Sequence, residues 1–251
     1  MVLFLYSLLS TSSFTSFTSF TPFTPFTPCT LFTPIPHIMA DNFLEKRLDE
    51  FHNGKKRTVI KTVGQSLDTL LLKNRSYRGY DKRQMVSMET LKSIVGVNNK
   101  IPSARNQQVL RFKLVTRDSG ADKVLSNIKL GGALPELHLP LQGTEPEAFI
   151  IVCSTVAENK LVDIDAGIAV QSMLLKAVEL GFNGIIIGAF NKENITKDFN
   201  LGCEPLLILA IGKGSESIRL TEISENEDHR YYRQDGTHYV PKVKVEDLLL
   251  P

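Results

Sequence analysis

The chain has 251 residues, a formal net charge of +2 and no tryptophan. A nearly neutral chain has no strong field to attract nucleic acid or an anionic membrane surface, and an aromatic content of only 8% argues against a base-stacking platform. We therefore expect neither a nucleic-acid nor a membrane partner; the length permits one large domain or two small ones.

The first 38 residues differ in composition from the rest. Every Lys, Arg, Asp and Glu lies after Ile38, and a three-residue Ser/Pro-Phe-Thr unit repeats between Ser16 and Thr27. This repeat matches neither helix nor strand periodicity, and the apolar run at residues 2–9 lacks the basic flank of a signal peptide. We expect residues 1–38 to be a disordered low-complexity segment, or an upstream stretch absent from a working protein that starts at Met39. Residues 39–251 are predicted to form a single domain.

The three cysteines, Cys29, Cys153 and Cys203, show no paired spacing. They suggest neither a disulfide framework nor a zinc site, and the five histidines show no metal-binding pattern. No metal site is predicted, and Cys153, within the apolar run at residues 149–153, is expected to be a core residue. Unpaired cysteines and the absence of a recognisable export signal favour a cytoplasmic location.

Hydrophobic periodicity predicts the remaining elements in chain order. Helices are expected at 42–51, from Leu67 onward with Ser66 as N-cap, and at 84–95, 121–128, 163–180 and 192–199. The helix at 84–95 is expected to bury Met85, Met88, Leu91 and Val95. Strands are expected at 109–116, 148–153, 184–190 and 205–211, the last two in central positions of a sheet. Strands and helices do not alternate strictly, so the fold class is α+β, with a mixed or antiparallel sheet flanked by helices.

Two segments of the predicted domain suggest subunit contacts. The helix at 163–180 is apolar on more than one side, which predicts burial in a core or at a subunit interface. After a polar segment at 222–235, the chain ends in the apolar run Leu248–Leu250. Such a tail is expected to dock, with a second subunit as one option.

Residues 74–80, the first motif, read NRSYRGY. Arg75 and Arg78 can converge on one phosphate if the segment turns at a helix end, because a guanidinium group forms a bidentate fork that matches phosphate oxygens. Ser76 can donate one more hydrogen bond. The alternative is a pair of ordinary surface arginines.

Residues 101–108, the second motif, read IPSARNQQ and precede a predicted strand. The side chains of Asn106 and Gln108 both donate and accept hydrogen bonds, which suits a heterocycle whose edge alternates donors and acceptors. The alternative is an ordinary helix-to-strand turn. A third segment, IGKGS at 211–215, lacks the first glycine of a phosphate-binding loop and is rejected as one.

Together and in this order, the two motifs resemble the signature of the nitroreductase family: Arg-Ser-x-Arg-x-aromatic, a helix, then Pro-Ser-x-x-Asn-x-Gln before a strand. Residues 165–169, at the head of a long helix, and residues 184–190 also resemble the family. The resemblance covers roughly residues 65–250. It departs at Val109-Leu110, where many members have Pro-Trp, and this departure puts in doubt the shape of the substrate pocket more than flavin binding.

The resemblance implies an FMN site built from residues in several segments. Arg75, Ser76 and Arg78 would hold the phosphate and ribityl end, Asn106 and Gln108 would contact the ring or ribityl chain, and Ile187, Gly188 and Ala189 would lie near the N5 edge. A basic residue near the C-terminus would also reach the phosphate. Arg230, Arg233 and Lys242 are the candidates, with Arg233 as the first choice.

The family also implies an activity and an assembly. The chain would be an FMN-dependent oxidoreductase that passes hydride from NADH or NADPH through flavin N5 to a nitroaromatic, a quinone or a similar small acceptor, by a ping-pong mechanism without a catalytic side chain. It would be a homodimer with FMN at the subunit interface. The alternatives are a flavin-binding sensor or storage protein without turnover, and a structural domain in which both motifs are accidental.

Overall fold

The computed structural model describes residues 64–132 and 139–250. The predicted low-complexity segment at 1–38 and the predicted helix at 42–51 lie outside the described residues. None of the helices in the described ranges combines the length and apolarity that a bilayer span requires.

A four-stranded sheet forms the centre of the fold. Its strands are β1 (Leu110–Val115), β2 (Ala148–Ser154), β3 (Asn183–Ile187) and β4 (Glu204–Gly212). The spatial order is β1-β2-β4-β3, and every neighbouring pair is antiparallel. The prediction of an α+β fold with an antiparallel sheet is confirmed.

Five α-helices flank this sheet. They are α1 (Leu67–Lys73), α2 (Met88–Val95), α3 (Ala121–Ser126), α4 (Lys160–Glu179) and α5 (Lys192–Asp198). Short 3₁₀ turns lie at Gly96–Asn99, Ala104–Asn106, Arg117–Ser119 and Val245–Leu248. As predicted, Ser66 caps α1 by accepting a hydrogen bond from the backbone N–H of Thr69 at 3.2 Å.

Both faces of the sheet are covered. On one face α2 and α4 pack Leu91, Ile94 and Met173 against Ile150 and Leu209. On the other face lies a second cluster with members from α3, α5 and the sheet: Val124, Ile195, Phe149, Ile151 and Ile208. All seven residues of β2 are therefore buried, which explains why an antiparallel strand has a continuous apolar sequence.

Cys153 is a core residue, as predicted, with 1% of its surface exposed. Burial, with a contribution from the neighbouring Cys203, raises the pKa of the Cys153 thiol to about 12. A thiol in this environment is not a nucleophile at neutral pH.

A second, three-stranded sheet follows the central one. It contains β5 (Ser217–Ile223), β6 (Tyr232–Gln234) and β7 (Thr237–Val243), in the order β5-β7-β6. Strand β7 is parallel to β5 and antiparallel to β6, and the β6–β7 turn places Asp235 and Gly236 at positive φ. The sequence predicted only a polar segment at 222–235, so this sheet was missed.

Two further sequence predictions are wrong in detail. Strand β3 is at the edge of its sheet rather than in the centre, and its Ile186 is 41% exposed. The helix predicted at 84–95 begins only at Met88, after the N-cap Ser87, so Met85 is 61% exposed and Ile94 is buried in its place.

Candidate functional site

The first motif is attached to the edge of the central sheet. It begins where α1 ends at the C-cap Asn74, and it runs beside β3 through a parallel bridge between Ser76 and Gly184. The backbone N–H of Tyr77 donates to the carbonyl oxygen of Gly184 at 3.2 Å. The position of the motif is therefore set by backbone contacts to the edge strand.

Two tyrosines anchor the motif on glycines. A Cβ added at Gly212 would lie 2.6 Å from Cδ1 of Tyr80, and one added at Gly214 would lie 2.2 Å from Cδ1 of Tyr77. Burial, with a smaller contribution from Glu216, raises the pKa of the Tyr80 hydroxyl, which donates to the carbonyl oxygen of Tyr77 at 2.8 Å. The glycines of the rejected IGKGS segment thus serve aromatic packing.

A cavity of about 280 Å³ opens beside the motif, and we call it the basic cavity. Its lining comes from the first motif, α4, β3 and the C-terminal sheet: Asn74, Arg75, Ser76, Arg78, Gln171, Leu174, Gly184, Ile186, Ile218, Tyr231, His238, Val240 and Lys242. The described lining includes two arginines, a lysine and a histidine but no carboxylate.

The arginines of the basic cavity are only partly satisfied by the protein. Arg75 donates to the carbonyl oxygen of Leu71 at 2.7 Å, and Arg78, 8% exposed, donates to the carbonyl oxygen of Ser76 at 3.1 Å. The Nε atoms of both arginines are buried, and no residue within 64–132 or 139–250 gives them a hydrogen-bond partner. Burial also lowers the pKa of Arg75. Buried cationic donors of this kind favour an anionic ligand.

The three C-terminal candidates for phosphate contact occupy different places. Lys242 lines the basic cavity. Arg230 is paired with Asp228 at 2.8 Å on the surface. Arg233 lines a neighbouring cavity of about 350 Å³ and forms an ion pair with Glu216. The geometry therefore favours Lys242 over Arg233, the first choice from sequence.

The second motif forms a loop with an unusual backbone. Arg105, Asn106 and Gln108 have φ angles of 52°, 53° and 49°. These angles lie in the left-handed region, where any residue other than glycine is strained. Asp165 of α4, only 5% exposed, holds the loop by accepting from the N–H of Ala104 at 2.8 Å. The side-chain amide of Gln108 donates to Oδ1 of Asn106 at 3.0 Å, so the two predicted amides lie together.

The described part of the chain does not bring the two motifs to a common cavity. Gln108 and Asp165 line a separate cavity of about 210 Å³, and none of its described lining residues belongs to the basic cavity. Asp165 lines this cavity, whereas Gln171 lines the basic cavity. Successive residues of an α-helix are about 100° apart around its axis, so these two residues, six positions apart on α4, are separated by about 120°. The loop with the amides and the motif with the arginines face different sides of the same helix.

The predicted N5-edge residues lie at the end of β3. Ile187 points into the core, whereas Gly188 and Ala189 are exposed. The carbonyl oxygen of Ala189 accepts from the N–H of Lys129 at 2.9 Å. The side chain that reaches the basic cavity is Ile186, one residue before the predicted set.

Several members of the basic cavity were missed by sequence reasoning, among them Gln171, Ile186, Tyr231 and His238. The alternation of side chains along a strand could have identified Ile186, because Ile185 and Ile187 share the opposite face. No sequence signal indicated the C-terminal residues, since the sheet that carries them was not predicted.

Comparison with known proteins identifies the family to which the sequence is similar. Residues 71–213 match the model of the nitroreductase family. A presumed NAD(P)H nitroreductase of Bacillus subtilis, YdgI, is 25% identical over 178 residues, which are 57% of this chain and 85% of YdgI.

Solved structures show the same fold. A presumed nitroreductase of Exiguobacterium sibiricum, solved in complex with FMN, is 20% identical with a TM-score of 0.50, covering 63% of this chain and 94% of that protein. A presumed NAD(P)H:FMN oxidoreductase of Staphylococcus epidermidis is likewise 20% identical with a TM-score of 0.50, covering 62% and 92%. Since the family model accounts for more than half of its residues, this chain belongs to the nitroreductase family of oxidoreductases.

Proposed function

We propose that this protein is an FMN-dependent oxidoreductase that transfers hydride from NADH or NADPH to a nitroaromatic, a quinone or a similar small acceptor. The observation that carries the proposal is the basic cavity, where the Nε atoms of Arg75 and Arg78 are buried without partners beside the exposed edge strand of a nitroreductase fold. When bound, the flavin supplies the hydride chemistry, and the protein supplies binding and orientation.

The first motif and Lys242 would hold the FMN phosphate. Arg75 and Arg78 contribute charge-assisted hydrogen bonds, Ser76 contributes a hydroxyl and Lys242 contributes an ammonium group. No carboxylate lines the described cavity wall to oppose an anion. Arg233 is paired with Glu216, so we assign it a structural role behind the cavity wall.

The edge strand would support the flavin ring. Ile186 presents an apolar surface in the cavity. Gly188, directly after the end of β3, is exposed and leaves its backbone groups accessible. A glycine here allows close approach of a planar ligand, because no Cβ stands between the backbone and the ring. The amides of Asn106 and Gln108 would contact the ring or ribityl chain from the partner subunit.

A homodimer would complete this site. Between the faces of α4 that line the two cavities lies a partly exposed apolar stripe of Leu161, Ile164, Ile168 and Leu175. Two copies of α4 that pack through this stripe would bury it and bring the second motif of one subunit towards the basic cavity of the other. The cytoplasmic location stays a prediction from sequence.

Spectroscopy of the purified protein tests the proposal. We expect a yellow protein whose flavin absorbance is bleached by NADH or NADPH under anaerobic conditions and recovers when a nitroaromatic is added. Bleaching without recovery with nitroaromatics or quinones would favour a flavin-binding protein without turnover. A folded preparation that stays colourless when FMN is supplied would refute flavin binding.

A further inference from the structure

His238 is the most deeply buried titratable side chain of the basic cavity, and the proposed function assigns it no role. It is 3% exposed and lies on β7, where its neighbours across the sheet are Ile218 of β5 and Arg233 of β6. Its Nδ1 atom is buried and has no hydrogen-bond partner among the described residues. A buried polar atom without a partner costs free energy. His238 lines both the basic cavity and the neighbouring cavity that contains Arg233 and Glu216.

Tyr231 holds the imidazole in place. The two ring centres are 5.0 Å apart at an interplanar angle of 60°, which is an edge contact. The guanidinium carbon of Arg78 lies 5.1 Å from the centre of the same tyrosine ring. His238 and Arg78 are thus positioned through one aromatic side chain, and both line the basic cavity.

The charges around His238 are predominantly positive. Burial lowers the pKa of His238, the nearby Arg78 and Arg233 lower it further, and Glu216 opposes them. Arg75 and Lys242 add two more positive charges to the cavity wall. Without an anion, the imidazole is therefore neutral at neutral pH. A phosphate dianion in the cavity reverses the balance, because a nearby opposite charge favours the charged form of a histidine.

We propose that His238 is a further ligand of the flavin phosphate and that it takes up one proton when this anion binds. The inference rests on the proposed function. A protonated imidazole donates from both ring nitrogens, so Nδ1 gains an acceptor that riboflavin, which has no phosphate, cannot supply. Affinity for FMN then falls as pH rises, by at most about tenfold per pH unit for one linked proton.

Titration of the full-length apoprotein with FMN and with riboflavin between pH 6 and 8.5 tests this inference. The variants are His238→Gln and, as a matched control, His229→Gln, since His229 is exposed and lies outside the described lining of the cavity. The second ionisation of a phosphate monoester, with a pKa of about 6, acts in the opposite direction. In these titrations the difference between variant and wild type therefore reports on His238. At pH 7.5 free FMN is already a dianion, so proton uptake by the wild-type protein at that pH reports on His238 directly.

We expect His238→Gln to weaken FMN binding about tenfold or more at pH 6 and to remove the fall in affinity at higher pH, with riboflavin binding unchanged in both variants. Calorimetry of the wild-type protein in two buffers of different ionisation enthalpy should show uptake of about one proton with FMN and none with riboflavin. That measurement does not depend on the variant folding.

The possible failures are distinguishable. If wild-type protein binds no flavin, the proposed function and this inference fall together. If it binds FMN no more tightly than riboflavin, the phosphate assignment and this inference fall, but flavin binding stands. If it prefers FMN but takes up no proton, and His238→Gln matches it at every pH, only the role of His238 is overturned.

Discussion

Arg75 and Arg78 differ in how firmly the protein holds them. The backbone N–H groups of Arg78 and Gly79 both donate to Oε2 of Glu216, so the chain is fixed where the buried Arg78 begins. Arg75 is only half-buried, and within the described part of the chain its one side-chain hydrogen bond is to the carbonyl oxygen of Leu71. Arg75 can therefore be removed with less damage to the fold, which makes it the better probe of phosphate binding.

Arg75→Ala should weaken FMN binding and spare riboflavin binding. A hydrogen bond to a charged group contributes about 1.5–3 kcal/mol, so the Kd for FMN should rise roughly tenfold to a hundredfold. Fluorescence titration of the apoprotein measures both ligands. Arg230→Ala, which removes an exposed arginine paired with Asp228, is the control and should leave both Kd values unchanged. Equal losses for FMN and riboflavin would contradict the phosphate assignment.

At the scale of elements, the second motif is the most strained segment described. Left-handed φ angles at three non-glycine residues within four positions cost of the order of 1–3 kcal/mol each. The buried carboxylate of Asp165 and the hydroxyl of Ser103, which accepts from the N–H of Gln108 at 3.2 Å, hold the loop in this shape. Strain that a fold maintains in this way is common at ligand sites.

Arg105→Gly should stabilise the protein by about 1 kcal/mol, because glycine adopts positive φ without strain. Gln107→Gly is the matched control: Gln107 has a φ of −72°, so there glycine only adds flexibility to the unfolded chain and should destabilise by roughly 0.5–1 kcal/mol. Chemical denaturation of both apoproteins measures the difference. If both variants lose stability equally, the loop is not strained.

Gly214→Ala should loosen the first motif. Its Cβ would overlap the ring of Tyr77, and overpacking of this kind costs about 1–3 kcal/mol. We expect a lower melting temperature together with reduced FMN retention, because Tyr77 lies between the two arginines. Gly202→Ala, whose Cβ has nothing within 4 Å, should change neither quantity. A Gly214→Ala protein with normal stability and normal FMN content would refute this anchoring role.

The elements that sequence predicted well are those with a strong apolar period. Helix α4 and strands β1, β2 and β4 were found within a few residues, because burial against the sheet or helices dictates their side chains. The C-terminal sheet was missed although Ile218 and Leu220 alternate with polar residues in β5 (SIRLTEI), a strand pattern that is short here and leaves no residue of β5 buried. The edge position of β3 was missed because its apolar sequence, with Ile185 and Ile187 on the buried face, is also typical of a central strand.

For the whole molecule, α4 determines which parts of the site a single chain can assemble. One side of the helix contributes Gln171 and Leu174 to the basic cavity, and another side contributes Asp165 and Ala169 to the cavity beside the second motif. Sequence could identify both motifs, because the arginines of the first suit a phosphate and the side-chain amides of the second suit a heterocycle. It could not show that the motifs face different sides of one helix, since that depends on the packing of α4 against the sheet.

Ile164→Glu should dissociate the proposed dimer without unfolding the subunit. Ile164 is 47% exposed in the isolated chain, so a carboxylate there is solvated in the monomer but buried without a partner in a dimer, where it costs several kcal/mol. Sedimentation should show a shift from dimer to monomer, with loss of bound flavin. Met85→Glu, at a site 61% exposed on a different segment, is the control. A wild-type protein that is monomeric and still retains FMN would contradict the composite site.

The first motif covers part of the edge strand β3, which limits strand-to-strand aggregation between molecules. A bare outer strand that contains three consecutive isoleucines, at 185–187, is a template for the addition of strands from other molecules. The Ser76–Gly184 bridge and the Tyr77 N–H contact occupy part of that strand. The first motif, which contains three of the residues proposed to hold FMN, therefore also covers part of an edge strand. A change that detaches it should produce aggregates as well as a colourless protein.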